Sequence, residues 1–181
     1  MMTHDANMVQ HAAYIATVLH AAQRRRYLGD AYIVHPARVA HAAMRIGLPV
    51  DAVAAAWLHD VVEDTPAGAG ELLYFPVTVR NIVLALSRSR SQSSDDYMAR
   101  ILATPHAATL KVLDRADNLR DLVRAHASTL GANRESVRAW AVAYVQKTDA
   151  TFGALIRNAT LAAVDDLAIA RQMIASAIEG I

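Results

Sequence analysis

At 181 residues the chain is long enough to bury one sizeable core and fits a single domain. Its 18 basic and 17 acidic residues leave a net charge of +1, which excludes a global field favouring nucleic acid or an anionic membrane. The absence of cysteine excludes disulfides, thiolate-bound zinc and thiol catalysis, leaves His, Asp and Glu as the strong metal ligands, and suits a cytoplasmic protein. In chain order, alanine-rich stretches with apolar residues three and four apart predict helices almost throughout, and no strand pattern stands out. A first helix is expected over about 7–25, then a loop over 28–34, then a helix with Pro36 in its first turn that ends near Gly47. Asp51 is the expected cap of a third helix that runs to Thr65-Pro66. A helix over 77–86 leads into a polar Ser/Arg loop over 87–94, and a short helix follows it. Thr104-Pro105 reads as the opening of a long helix toward Arg124, and helices near 135–149 and 160–178 complete an all-α, single-domain bundle. No leader and no apolar run of roughly 18 residues is read, so a soluble chain without a membrane partner is expected.

The chemistry gathers on polar residues set among apolar ones. His59 and Asp60 are adjacent, about 100° apart around a helix, and can reach one point beside it. His35 and Asp114 are the expected third and fourth metal ligands, brought in from other helices. Two imidazoles and two carboxylates suit manganese, iron, zinc or nickel better than calcium or magnesium. Glu63 falls four residues after His59 and Asp64 four after Asp60, so both face the same side and could handle a nucleophilic water. Asn118, one turn after Asp114, could bind substrate oxygens. A lone His-Asp pair is common by chance, but a buried charged cluster with no ion or partner would be expensive to keep.

The segments Tyr32-Ile33-Val34-His35-Pro36 and Ala55-Ala56-Trp57-Leu58-His59-Asp60-Val61-Val62-Glu63-Asp64-Thr65 resemble the HD-type hydrolase domain of RelA/SpoT homologues, with the small alarmone hydrolases nearest in shape. The resemblance extends upstream to His20 and Gln23-Arg24-Arg25-Arg26 and downstream through Lys111-Val112-Leu113-Asp114-Arg115 to Asn118-Leu119-Arg120-Asp121-Leu122. It makes residues 1–181 one HD domain, with a motif-bearing core over about 10–125 and further helices over about 134–178. It implies a manganese-dependent enzyme that removes the 3′-pyrophosphate of ppGpp or pppGpp, with His35, His59, Asp60 and Asp114 on the metal and Glu63 and Asp64 on the water. It also implies Asn118 and Arg24 as substrate contacts, the latter on the base, and Arg88 or Arg90 near the phosphates. Trp140 and Tyr144 fall where relatives place an aromatic contact, though the sequence favours the core for both. Ala31 and Val34 depart from the family pattern, as do the Ser/Arg loop and the segment beyond 125, which shape the nucleotide pocket. Two other readings stay open: a phosphohydrolase of another nucleotide, including adenine alarmones or a monophosphate, and a non-catalytic nucleotide-binding module. Oligomer formation is left open as well.

Overall fold

Residues 52–58 carry no charged side chain, and a helix apolar on every side must be covered on every side. In the computed structural model, which describes residues 4–89 and 91–178, this segment lies in α3 (Val50–Leu58), buried at Ala52 through Ala56 and at Leu58. It is enclosed by α1 (His4–Leu19), α2 (Val34–Arg45) and α6 (Val77–Leu86). The small alanines of the facing surfaces, Ala12, Ala16, Ala40 and Ala43, let these helices approach closely. A second layer forms around α8 (Ala107–Ser128), which packs on α2 and against α9 (Gly131–Asn158) and α10 (Leu161–Ala177). The remaining elements are α4 (Val61–Asp64), which packs on α5 (Gly68–Glu71) with its 3-10 turn (Leu72–Tyr74), and α7 (Ser94–Ala103), which packs on α6, α8 and α9. The described residues thus form ten α-helices and no strand, apart from an isolated antiparallel bridge between Arg24 and Ala31. No helix among them is long and apolar enough to cross a membrane.

The helix ends follow local chemistry. Gly47, at φ +75°, stops α2, and the N–H of Leu48 reaches back to the Ala43 carbonyl at 3.0 Å. Ser93 caps α7 by accepting from the Asp96 N–H at 3.0 Å.

Five expectations are corrected. The first helix ends at Leu19 rather than near 25. Backbone bonds from Tyr32 to Gln23 and from Arg25 to Asp30 instead fold residues 20–32 into a turn that carries Arg25 and Tyr32 toward α8. Asp51 does not cap α3; Pro49 holds that place, and the Asp51 carboxylate accepts the Thr78 hydroxyl. The third helix is not continuous to Thr65, because it opens at His59 and Asp60, the latter at φ −100° and ψ −9°. Thr104 closes α7 by bonding the Arg100 carbonyl at 2.9 Å, so α8 begins at Ala107 after a left-handed His106. Finally, α9 spans 28 residues, well beyond 135–149.

Gly68 is buried where a Cβ would overlap the backbone carbonyl of Val61. Gly68→Ala is therefore expected to displace α4 and cost about 1–3 kcal/mol of stability, as overpacking does. Chemical denaturation checks this, and an unchanged midpoint would mean that the α4–α5 contact yields freely.

Candidate metal centre

Three elements aim donors at one point. His35 lies in the first turn of α2, His59 and Asp60 at the break between α3 and α4, and Asp114 inside α8. His59 Nδ1–H donates to the Ala56 carbonyl at 2.8 Å, which leaves Nε2 as a lone pair facing inward. That Nε2 is buried and has no hydrogen-bond partner. His35 is set the same way, with Nδ1 on Asp117 Oδ2 at 2.6 Å and Nε2 inward. From His35 Nε2 it is 3.2 Å to Asp114 Oδ1 and 3.6 Å to Asp60 Oδ2; from His59 Nε2 the same oxygens lie at 3.9 and 3.2 Å. One donor atom from each of His35, His59 and Asp114 falls within 4.8 Å of the others. A buried imidazole nitrogen facing carboxylates needs a cation or a proton, so this donor set fits a divalent metal.

The electrostatics agree. Burial alone would lower His35, but hydrogen bonds to Asp114 and Asp117 and the nearby carboxylate charges push it up to about 9. Burial likewise opposes charge on His59, and the Asp60 carboxylate overrides it and raises the ring. Burial would raise Asp114, yet the Lys111 ammonium at 2.9 Å and the two imidazoles hold it well below the usual carboxylate range. The pocket therefore favours positive charge at the two Nε2 atoms, where a metal and a proton compete.

Around this point lie the groups that could meet a substrate. The Tyr32 hydroxyl lies 2.7 Å from Asp60 Oδ2 and 3.0 Å from Asp64 Oδ2 and bridges the two carboxylates. Gln23 donates to the Asp64 carbonyl at 2.9 Å, while Glu63 Oε2 accepts the Arg88 N–H at 2.9 Å. A cleft of about 210 Å³ opens over His35, Asp60, Glu63, Asp64, Asp114 and Asn118. It continues on one side into a cationic recess of about 210 Å³ with Arg88, Lys111, Arg115 and Lys147, and on the other into one of about 190 Å³ with Arg24, Arg25, Tyr27 and Trp140.

No protein-family model matches the chain. In sequence it is 32% identical over 126 residues to a guanosine-3′,5′-bis(diphosphate) 3′-pyrophosphohydrolase of Aquifex aeolicus, an alignment covering 65% of this chain and 18% of that one. It is 30% identical over 128 residues to the bifunctional (p)ppGpp synthase/hydrolase RelA of Mycobacterium tuberculosis, covering 65% and 17%. With the bifunctional (p)ppGpp synthase/hydrolase SpoT of Escherichia coli the identity is 29% over 126 residues, covering 63% and 18%. The chain thus spans less than a fifth of the length of these relatives. It shares its fold with the solved structure of a metazoan orthologue of SpoT that hydrolyses ppGpp, at a TM-score of 0.64 and 22% identity, covering 95% of this chain and 99% of that one. About two thirds of the chain is thus similar in sequence to part of the RelA/SpoT-type proteins, and the fold is that of the SpoT orthologue.

Within this fold the structure brings His35, His59, Asp60 and Asp114 together, with Glu63 and Asp64 on the rim. Asn118 donates to Asp114 Oδ1 at 2.6 Å. Arg24 lines the aromatic recess, but its guanidinium bonds the Ala21 and Gln23 carbonyls, whereas Arg25 reaches Asn118 Oδ1 at 2.7 Å. Arg88 sits in the cationic recess, over the Tyr97 ring; Arg90 lies outside the described residues. Tyr144, which also lines the metal cleft, packs against the core. Trp140 does not: it is 38% exposed, stacks on Tyr144 at 5.1 Å and borders the recess.

Sequence reasoning assigned no role to Tyr32, Arg25, Lys111, Arg115, Lys147 or Asp117. The spacing of Lys111, Asp114, Arg115 and Asn118 on one face of α8 could have pointed to the two cations. Nothing in the sequence marks Lys147, and Tyr32 stands out only as the first residue of a segment that carries the resemblance.

Proposed function

We propose that the chain is a metal-dependent phosphohydrolase that removes the 3′-pyrophosphate of ppGpp or pppGpp, giving GDP or GTP and pyrophosphate. The observation that carries the metal is the buried, unpartnered Nε2 of His59 facing His35, Asp60 and Asp114; sequence similarity to alarmone hydrolases carries the substrate. In this reading His35, His59, Asp60 and Asp114 hold manganese. A divalent ion there supplies Lewis acidity, polarising a phosphoryl oxygen and acidifying water.

The chain's own groups account for the rest. Water attacks the 3′-linked phosphorus, the bond from that phosphorus to the 3′ oxygen breaks, and the oxygen leaves on the nucleoside with a proton. Glu63 is placed to take the proton from the water. Asp64, raised by burial and by the Asp60 charge, suits the return of a proton to the leaving oxygen. Lys111, Arg115, Lys147 and Arg88 offset the charge of the pyrophosphate in the cationic recess. The aromatic recess, with Arg24 and Trp140, is the place for a purine base.

The test incubates metal-free protein, with and without manganese, against ppGpp, pppGpp, their adenine analogues and ordinary nucleotides, with products resolved by ion exchange. Manganese-dependent pyrophosphate release from a guanosine alarmone is the expected result. Silence on every alarmone with phosphate released from another nucleotide would keep the metallohydrolase and remove the alarmone. Silence on all of them, with nucleotide still bound, would leave a binding module.

A further inference from the structure

Behind His35, away from the cleft, the chain buries two carboxylates. Asp117 and Asp121 lie one turn apart on α8 and are 5% and 6% exposed. Buried so close together they repel each other, and each needs donors. Arg38 of α2 serves both. Its Nε and Nη2 donate to the two oxygens of Asp117 at 2.6 and 2.9 Å, and Nη2 also donates to Asp121 Oδ1 at 2.7 Å. Each carboxylate has a second partner on the cleft side. Asp117 Oδ2 accepts from His35 Nδ1 at 2.6 Å. Asp121 Oδ2 accepts from Arg25 Nε at 2.8 Å, Arg25 Nη2 donates to Asn118 Oδ1 at 2.7 Å, and the Asn118 amide donates to Asp114 Oδ1 at 2.6 Å. His35 Nε2 and Asp114 Oδ1 then face each other across 3.2 Å. The contacts close a ring that starts and ends at Arg38 and passes through two of the candidate metal ligands.

We infer that Arg38 is a positioning residue that aims His35 through Asp117 and seats Arg25 and Asn118 through Asp121, so that metal binding and substrate binding both depend on one guanidinium outside the cleft. The inference rests on the metal-dependent reading given above. Arg38 itself is 37% exposed and lines a separate opening of about 400 Å³ with Asp30, Arg120 and Arg124. The planar fork matters, because it presents two nitrogens to one carboxylate while sharing one of them with the next; a lysine ammonium is a point donor on a flexible stem. Arg124 also reaches Asp121 Oδ1, at 3.1 Å, so Asp121 keeps two cations, Arg124 and Arg25, when Arg38 is removed.

The experiment measures manganese binding by calorimetry without nucleotide, and KM and kcat with the alarmone, alongside thermal unfolding. Arg38→Met is expected to weaken manganese about tenfold, at the low end of what partners behind a metal ligand contribute, and to raise KM. Asp121→Asn cuts only the second arm, so KM should rise with manganese affinity unchanged. Asp117→Asn should weaken manganese, and adding Arg38→Met to it should weaken manganese no further. Arg38→Lys should recover neither arm fully. A folded Arg38→Met with wild-type manganese affinity overturns the inference. So does an Asp121→Asn that loses manganese as severely as Arg38→Met, or an Arg38→Lys that restores both arms, since charge alone would then suffice. If Arg38→Met does not fold, Asp121→Asn and Arg38→Lys carry the same readouts. A wild-type protein that binds no manganese is a separate result, which overturns the metal reading itself and the His35 arm with it.

Discussion

His59→Asn is expected to abolish divalent-metal binding and turnover while leaving the fold in place. The asparagine amide nitrogen can occupy the position of Nδ1 and keep the bond to the Ala56 carbonyl, so the variant loses little besides Nε2. His59→Ala is a blunter change, because it also strands a buried carbonyl at a cost of about 1–3 kcal/mol. A ligand that binds only the folded state adds about 2.7 kcal/mol at a hundred times its dissociation constant. Wild-type protein should therefore melt higher when manganese is added, and His59→Asn should not. His11 is the control: it stacks on Phe75 at 4.9 Å, away from the cleft, and His11→Ala should keep the full response to metal. Calorimetry and elemental analysis check the result. Metal retained by His59→Asn at wild-type stoichiometry would show that the orphaned nitrogen is not a ligand.

The parts of this site that were legible in the sequence are those set by local pattern. The helix over 77–86 follows from apolar spacing bounded by a proline and a polar loop, and α6 has those limits. His59 beside Asp60 within an apolar stretch marked the centre of the site, because polar residues in a buried helix require partners. The break between α3 and α4 was not legible. The Asp60 carboxylate there accepts the hydroxyl of Tyr32, which lies 28 positions away and is delivered by a turn whose first residues, 20–25, read as helix. Arg24 and Arg25 are indistinguishable in a row of three arginines; only the bond from Arg25 to Asn118, 93 positions on, separates them. The contacts of Arg38 are longer still in sequence, 79 and 83 positions to Asp117 and Asp121, and no periodicity carries them. Trp140 read as core for a related reason: an aromatic at helical spacing looks alike whether it packs inward or borders a recess.

Glu63→Gln should keep manganese affinity and lower kcat about 10²- to 10⁴-fold, the range associated with losing a positioned general base. The alternative is that Glu63 serves only as an anchor, since its Oε2 holds the Arg88 N–H and with it the start of the Ser/Arg loop. Glutamine separates the two. Its amide oxygen can still accept that N–H, so the loop stays tied and the cationic recess keeps its shape, but it has no basic oxygen to take a proton from water. Glu63→Ala removes both roles. If proton transfer is the role, the glutamine and alanine variants should be comparably slow, with KM little changed in the first and raised in the second. If anchoring is the role, glutamine should run near the wild-type rate and alanine alone should fail. Steady-state kinetics on the substrate that is turned over, read beside metal binding by calorimetry, decides between them. Because the carboxylates that face His59 Nε2 are those of Asp60 and Asp114, whereas Glu63 holds the Arg88 N–H, neither variant should release the metal.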